Sequence, residues 1–284
     1  MRSCPLGQAE LDEQTVAFYR RALTAVRERE IPFLVGGAYA LEAHTGIARH
    51  TKDFDIFVRP ADCAEVLAVM AAAGYRTEMT FQHWLGKVRY DDALIDVIFG
   101  SGNGIARVDD EWFEHALPAQ VFGISVELCP PEETIWSKAF VMERERYDGA
   151  DVAHLLRARG EQLNWARLLR RFGPHWRVLL SHLILFGFIY PADRSQVPTW
   201  VMHELLQQLQ CETHHPAAPS TFCQGTLLSR AQYLVDIHQW GYHDPRLLPD
   251  GTMTVEELAR WSAAAEEPEQ IGKSSTPMCS DSPQ

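Results

Sequence analysis

Residues 31–44 read IPFLVGGAYALEAH, an apolar run that ends in two glycines and is followed by a helix-forming segment. This order predicts a strand, a tight turn at Gly36 and Gly37, and a helix. A helix N-terminus offers free backbone N–H groups and the positive end of the helix dipole, and glycines let a phosphate approach closely. We therefore predict that the pair cradles a triphosphate, with a plain turn as the alternative.

Two aspartates follow in the strand-like segment 53–58, which reads DFDIFV. Side chains two residues apart in a strand leave the same face, so Asp53 and Asp55 share one face and Phe54 points to the other. Two carboxylates on one face suit magnesium, which prefers oxygen ligands. A solvated strand end or a helix cap is the alternative interpretation of an Asp-x-Asp pair.

A third carboxylate, Asp96, lies within the apolar run 93–99, which reads ALIDVIF. A charge in such surroundings is costly to bury without a partner. If this strand pairs beside the first, one face presents Asp53, Asp55 and Asp96 together. We predict that these three residues are catalytic and bind Mg²⁺ or Mn²⁺, because such ions can clamp the attacking and leaving oxygens of a nucleotidyl transfer.

These segments resemble a known family. The Gly-Gly pair, the following helix, the motif Thr51-Lys52-Asp53-Phe54-Asp55-Ile56 and a late aspartate on a strand are similar to the DNA polymerase β-like nucleotidyltransferase superfamily. The small bacterial branches are the most similar, namely aminoglycoside and lincosamide nucleotidyltransferases and the abortive-infection toxin-type enzymes. The resemblance spans roughly residues 31–160. It implies an α+β fold, a mixed sheet with flanking helices, together with a nucleoside triphosphate donor and a divalent metal.

The toxin-type resemblance extends to the segment after the predicted sheet. A helical lysine, Lys138, precedes an arginine and the Asp-x-x-Asp helix start at Asp148 and Asp151. The resemblance implies that Lys138 contacts the triphosphate as a point charge and that the two aspartates lie near the pocket wall. A solvated lysine, a helix N-cap and a first-turn charge are the alternatives. Arg49 is a further candidate for phosphate or base binding, unless it is plain surface.

The domain organisation follows from the same pattern. We predict a catalytic domain over residues 1–130, a mainly helical C-terminal region over 131–265 and a disordered tail over 266–284. A helix is expected over 9–30 and another over 61–73, and strands near 53–58, 87–91 and 94–99. The apolar stretch 178–190 is too short to span a bilayer and is expected to be a buried helix, with His182 as a core histidine.

Composition narrows the classes of partner. The chain has 284 residues, 46% of them hydrophobic, and a net charge of -12. An acidic chain is poorly suited to broad electrostatic capture of nucleic acid, although residues 138–177 hold nine basic against five acidic side chains. We expect no membrane partner, and nucleic acid is not the favoured one. A helix surface with interspersed charges is the simpler account of the basic segment.

The six cysteines show no paired spacing, which fits reduced thiols in a cytoplasmic protein. Cys211, His214, His215 and Cys223 could be drawn as a zinc site, but their spacing matches no compact ligand pattern and we do not favour it.

The predicted function is transfer of a nucleoside monophosphate from a nucleoside triphosphate to a hydroxyl. A small-molecule hydroxyl fits the acidic chain, whereas a tRNA end or a protein side chain fits the toxin-type resemblance. A nucleotide-binding regulator that transfers nothing, or a partner protein in a toxin system, is the alternative of a different class.

Overall fold

The computed structural model describes residues 11–49, 51, 53–214 and 220–264. In these residues a single mixed sheet contains seven strands, β1 Leu34–Val35, β2 Asp53–Phe57, β3 Arg76–Phe81, β4 Leu85–Tyr90, β5 Ala93–Ile98, β6 Leu117–Val121 and β7 Ile124–Leu128. Their spatial order is β3-β4-β5-β2-β1-β7-β6. β2 runs parallel to β5 and β1 runs parallel to β7, and the other neighbouring pairs are antiparallel.

Helices cover the sheet and form most of the C-terminal half. They are α1 Glu13–Glu28, α2 Gly37–Thr45, α3 Cys63–Ala72, α4 Asp110–Glu114, α5 Pro131–Ala139, α6 Gly149–Arg159, α7 Trp165–Phe172, α8 Trp176–Ile189, α9 Thr199–Thr213, α10 Leu234–His238 and α11 Val255–Ala263. Short 3₁₀ turns lie at Gly160–Gln162, Gly173–His175, Pro191–Gln196 and Gln224–Leu227.

Strand β2 separates the first core from the site. Phe54 and Ile56 are fully buried in a cluster that includes side chains from α1 and α3. Asp53 and Asp55 leave the opposite face, as the alternation predicted. A second cluster is formed mainly by residues of α5 to α9. The position of the carboxylates therefore follows from burial of the aromatic and aliphatic residues between them.

The predicted α+β fold with a helical C-terminal region is confirmed. The helix expected over 9–30 is α1, which begins after Asp12, where the Asp12 carboxylate accepts a hydrogen bond from the backbone N–H of Thr15 at 2.9 Å. The predicted strands correspond to β1, β2, β4 and β5, whereas β3, β6 and β7 were not predicted; the helices predicted after the glycine pair and over 61–73 are α2 and α3. The domain boundary at residue 130 stays a prediction, and the tail 266–284 lies outside the described residues.

Helix α8 is only half-buried, which corrects the expectation for residues 178–190. His182 is buried and its Nε2 lies 2.8 Å from the carbonyl oxygen of Ala139, as expected of a core histidine. The opposite face is exposed, with Phe188 82% accessible. The helical run continues back to Trp165, so that 165–189 is long and apolar enough to cross a membrane by length and composition. Its inner face packs in the second core, as that of a core helix does.

A buried ion cluster joins α5 to α7. Arg167 is 3% exposed and pairs with Glu132, and its Nη2 lies 3.4 Å from Glu133. The carboxylate of Glu132 also accepts a hydrogen bond from the backbone N–H of Asn164 at 2.6 Å. The carboxylate of Glu133 accepts a hydrogen bond from Arg171 Nε at 3.1 Å. Because Arg167 is the cation that pairs with Glu132, its removal leaves the Glu132 carboxylate buried without an ion-pair partner.

We expect Arg167→Ala to lower the free energy of unfolding by about 3–5 kcal/mol, since it leaves Glu132 buried without its partner. Arg170→Ala is the matched control, because Arg170 lies on the same helix and pairs with Glu111 while 60% exposed. An exposed pair contributes about 0.2–1 kcal/mol. Guanidinium chloride titrations measure both variants, and equal losses would contradict the role of the buried cluster.

Candidate active site

A row of functional groups crosses four neighbouring strands. In the parallel pair β2 and β5, Asp55 lies directly beside Asp96. Asp96 in turn lies opposite Lys87 on β4, whose Nζ is 3.6 Å from its Oδ1. On the other side of β2, the backbone N–H of Gly36 donates to the carbonyl oxygen of Asp55 at 3.0 Å. Asp55 therefore lies between Asp96 on one side and the glycine pair on the other.

The three predicted carboxylates lie close enough to act on one another electrostatically, but only two of them line the cavity. Asp53 shares the face of Asp55 but lies two residues earlier, opposite Leu94. The cavity described below opens beyond Asp55 in the strand direction and is lined by Asp55 and Asp96, and its lining does not include Asp53. Among the described residues, no group of three or more His, Cys, Asp or Glu side chains is arranged to hold a metal ion.

The two glycines create room for specific neighbours. A Cβ on Gly37 would lie 1.7 Å from Asp55 Oδ2, and Gly37 has a φ of +54°. A Cβ on Gly36 would lie 2.2 Å from the ring of Phe57. Absence of a side chain at Gly37 thus lets the Asp55 carboxylate reach the N-terminus of α2, and absence of one at Gly36 makes room for the Phe57 ring. This steric requirement was not anticipated from the sequence, which suggested room for a phosphate.

Burial and like charge perturb both carboxylates. Burial, and after it the neighbouring charges of Asp96 and Asp53, together raise the pKa of Asp55 to about 7, against the opposing charges of Lys138 and Arg146. Burial also raises the pKa of Asp96, against the positive charge of Lys87. A cation placed between the two carboxylates would relieve their repulsion and favour their ionised forms.

The donor set fits a magnesium-type ion that is completed by substrate. Asp96 Oδ1 is a buried oxygen without a hydrogen-bond partner among the described residues. Asp55 and Asp96 together supply the hard oxygen ligands that Mg²⁺ prefers. Mg²⁺ is commonly held by one or two carboxylates while waters and phosphate oxygens complete its shell. Two adjacent carboxylates therefore suffice for such a site, although they do not enclose an ion by themselves.

Lys138 belongs to a charge network beside the carboxylates. Its Nζ donates to Asp148 at 2.9 Å and to Asp151 at 3.0 Å. Arg146 binds the Asp148 carboxylate through two hydrogen bonds of 2.9 Å, and Arg49 reaches Asp151 at 2.5 Å. Burial would raise the pKa of Asp148, but the hydrogen bond from Arg146 and the charge of Lys138 lower it. The network joins the predicted residues Lys138 and Arg49, and both are paired with carboxylates.

The carboxylates line a cavity of about 250 Å³. Gly36, Gly37 and Lys138 line it as well, which places five of the predicted donor-binding and metal residues around one space. Further lining residues were not predicted from the sequence, and they are Trp84, Trp112, Glu143, Arg146, Leu227, Ser229, Arg230 and Trp261. These residues come from segments that are far apart in the sequence, so they form no motif that sequence analysis could recognise.

A comparison with protein families decides the family of the chain. The model of a family described as an uncharacterised nucleotidyltransferase matches residues 7–176, more than half of the 284 residues. The chain belongs to this nucleotidyltransferase family. The predicted resemblance to nucleotidyltransferases is thereby confirmed, whereas the choice between its bacterial branches stays a prediction. No curated protein matches the chain.

Several solved structures are similar to this nucleotidyltransferase family member. The antibiotic-resistance factor ANT(2'')-Ia is 18% identical with a TM-score of 0.40, and the match covers 72% of this chain and 100% of that chain. An antigenic nucleotidyltransferase-like protein from Paracoccidioides brasiliensis is 14% identical with a TM-score of 0.40, over 68% and 99% of the two chains. The lincomycin-bound lincosamide antibiotic adenylyltransferase LnuA is 14% identical with a TM-score of 0.36, over 51% and 96%.

The other candidates have separate outcomes. Cys211 lies on the exposed side of α9 and Cys223 begins a short turn, while His215 lies outside the described residues. Lys52 of the motif also lies outside them. The predicted cytoplasmic location stays a prediction.

Gly37→Ala should destabilise the fold chiefly through its clash with Asp55. Gly46→Ala at the other end of α2 is the matched control, since Gly46 has a φ of +74° and no atom within 4 Å of an added Cβ. We expect Gly37→Ala to lower the thermal midpoint more than Gly46→Ala does. In an Asp55→Ala background the excess should shrink, because most of the clash is with the carboxylate. An unchanged excess in that background would contradict the proposed contact.

Asp55→Asn should stabilise the metal-free protein at high pH. The folded pKa of about 7 lies above the ordinary 3.8, so the unfolded chain ionises first as the pH rises. Stability is thus lost between about pH 4 and about pH 7 and stays reduced above that range. In EDTA, we expect the thermal midpoint of Asp55→Asn to lie a few degrees above that of the wild type at pH 8. The difference between the two midpoints should be smaller at pH 5. An exposed control is Asp92→Asn, and a gap independent of pH would refute the assignment.

Proposed function

We propose that this protein is a metal-dependent nucleotidyltransferase that moves a nucleoside monophosphate from a nucleoside triphosphate to a hydroxyl acceptor. The observation that carries the proposal is the register of Asp55 beside Asp96, with the N-terminus of α2 in contact with Asp55. Membership of a nucleotidyltransferase family supports the same reaction class. The arrangement joins an anion-binding helix end to a pair of carboxylates within one cavity.

The donor triphosphate would lie against the start of α2. The first backbone N–H groups of a helix are free to bind anions, and the helix dipole favours negative charge there. Gly36 and Gly37 leave this end without side chains. Lys138, on the wall of the same cavity, adds positive charge that Asp148 and Asp151 hold in place.

Asp55 and Asp96 would hold the divalent ion, and Asp53 extends the acidic face on the same strand. When bound, Mg²⁺ or Mn²⁺ would neutralise phosphate charge and lower the pKa of the acceptor hydroxyl. The residues around the cavity would hold the acceptor hydroxyl in line with the bond that breaks in the triphosphate. Such positioning supplies much of the rate in phosphoryl transfer.

The bond changes balance within the proposed complex. The acceptor hydroxyl oxygen attacks the α-phosphorus and forms a new P–O bond. The bond from the α-phosphorus to the oxygen that bridges to the β-phosphate breaks, and pyrophosphate leaves with the electron pair. The hydroxyl proton passes to the Asp96 carboxylate, which lies in the wall of the cavity.

Asp55→Ala and Asp96→Ala should each reduce transfer about a thousandfold or more, because loss of a metal-binding carboxylate removes several kcal/mol of transition-state stabilisation. The assay incubates the purified protein with Mg²⁺, each α-labelled nucleoside triphosphate and cell extract separated into RNA, protein and small-molecule fractions. Asp92→Asn, at an exposed turn, controls for a change of carboxylate alone.

Label in one fraction, absent with folded Asp55→Ala, would support nucleotidyl transfer and identify the acceptor class. Circular dichroism and thermal melting establish that each variant is folded. Undiminished transfer by a folded Asp55→Ala protein would contradict the proposed mechanism. Metal-dependent triphosphate binding without label in any fraction would favour the non-catalytic regulator instead.

A further inference from the structure

A C-terminal segment forms one wall of the cavity. We use the name C-terminal strap for residues 224–230 together with Trp261. Thr226, Leu227, Leu228, Ser229, Arg230 and Trp261 all line the cavity that contains Asp55 and Asp96. The strap lies beyond residue 176, where the match to the nucleotidyltransferase family ends. This wall therefore lies outside the part of the chain that the family model matches.

Hydrogen bonds fix the first part of the strap to the rest of the protein. Asn103 Nδ2 donates to the carbonyl oxygen of Leu227 at 2.7 Å, and the backbone N–H of Met142 donates to Leu228 at 3.0 Å. The Glu143 carboxylate accepts from Ser229 Oγ at 2.7 Å and lies 3.2 Å from Arg230 Nε. Such a set of bonds makes the strap an ordered wall of the cavity.

Trp261 anchors the second part in an aromatic cluster. Its ring centroid lies 5.3 Å from that of Trp84 and 5.0 Å from that of Phe81. The guanidinium of Arg230 lies over the indole at 4.7 Å. A Cβ on Gly102 would lie 2.2 Å from Trp261, so the indole packs directly on the backbone of the loop after β5.

The strand order separates the strap from the donor side. Along the sheet, β4 and β5 lie on one side of β2, and β1 with the start of α2 lies on the other. Trp261 contacts the turn before β4 and the loop after β5. Asp55 and Asp96 thus stand between the glycine pair and the strap. A molecule against the strap would meet the carboxylates from the side opposite the triphosphate.

The cavity as a whole is lined by more apolar than polar surface, and Trp84, Leu227, Leu228 and Trp261 are its apolar residues on the strap side. Its cationic side chains are paired, Lys138 and Arg146 with Asp148 and Arg230 with Glu143. Trp84 and Trp112 are lining residues, and their indole Nε1–H groups are buried without a hydrogen-bond partner among the described residues. The indole rings therefore present mainly apolar surface to the cavity.

We propose that the C-terminal strap is the acceptor-binding wall and that the acceptor is a small, largely apolar molecule whose hydroxyl is presented to Asp55 and Asp96. This inference rests on the proposed nucleotidyl transfer. A cavity of about 250 Å³ lies just below the usual range of about 300–1,000 Å³ for drug-sized ligands. A polynucleotide would need a continuous basic surface along its path, whereas each lining cation has a carboxylate beside it and the chain has a net charge of -12.

The test uses benzyl alcohol as the apolar probe and glycerol as the polar one. Titration of the full chain by ligand-observed NMR should show benzyl alcohol binding in preference to glycerol. Trp261→Ala should weaken benzyl alcohol binding about two- to tenfold, the range expected for loss of one aromatic contact. Trp240→Ala is the matched control, since Trp240 lies in the same C-terminal region and is 67% exposed.

Should Trp261→Ala fail to fold, Trp261→Phe and Gly102→Ala replace it. The phenyl ring keeps an aromatic contact and should retain most of the binding, whereas a methyl group at position 102 displaces the indole and should weaken binding. Equal binding of glycerol and benzyl alcohol, or no effect of the strap variants, would overturn the inference.

The labelling assay separates failure of this inference from failure of the proposed function. The small-molecule fraction of the extract is first divided into organic-extractable and water-soluble parts. Label in acceptors from the organic part, reduced by Trp261→Ala while Mg²⁺–ATP binding is unchanged, supports the strap as acceptor wall. Label in RNA, protein or water-soluble acceptors overturns it and leaves nucleotidyl transfer standing. No label in any fraction counts against both.

Discussion

Parallel pairing of β2 with β5 is the constraint on which the site depends, because it places the carboxylates of Asp55 and Asp96 side by side. Two like charges in a partly buried position oppose folding unless something compensates them. The compensation that the structure provides is partial, through Lys87 at 3.6 Å and the N-terminus of α2. The register persists because Phe54 and Ile56 bury the other face, and a slip by one residue would exchange the two faces.

Local patterns predicted the strand faces well. The alternation in β2 placed Phe54 in the core and Asp55 on the site face, since this depends on backbone geometry alone. The sequence could not establish that Asp96 lies beside Asp55. Tertiary packing decides which distant strand pairs with β2, so the prediction held only if β5 was that strand. Strand β6 escaped prediction because it contains Pro118 and is mostly exposed, as a sheet edge permits.

The site itself was predicted in part. Gly36 and Gly37 were expected to face a phosphate, and the structure adds a steric reason for them that involves Asp55 and Phe57. Lys138 and Arg49 were singled out separately, but their common partner Asp151 became visible only in three dimensions. Trp261 and Arg230 have no motif around them. Their position beside the carboxylates results from the path of the chain after α9.

The cavity is assembled from two stretches of sequence that are far apart. The carboxylates and the glycine pair lie in the part that the family shares, and the strap lies beyond it. Substitutions in the strap can therefore alter the shape of the cavity while the register of Asp55 with Asp96 is preserved. Within a gene lineage, selection could act on the two stretches separately. If the strap binds the acceptor as proposed, descendants would keep one chemistry and diverge in the molecules that they modify.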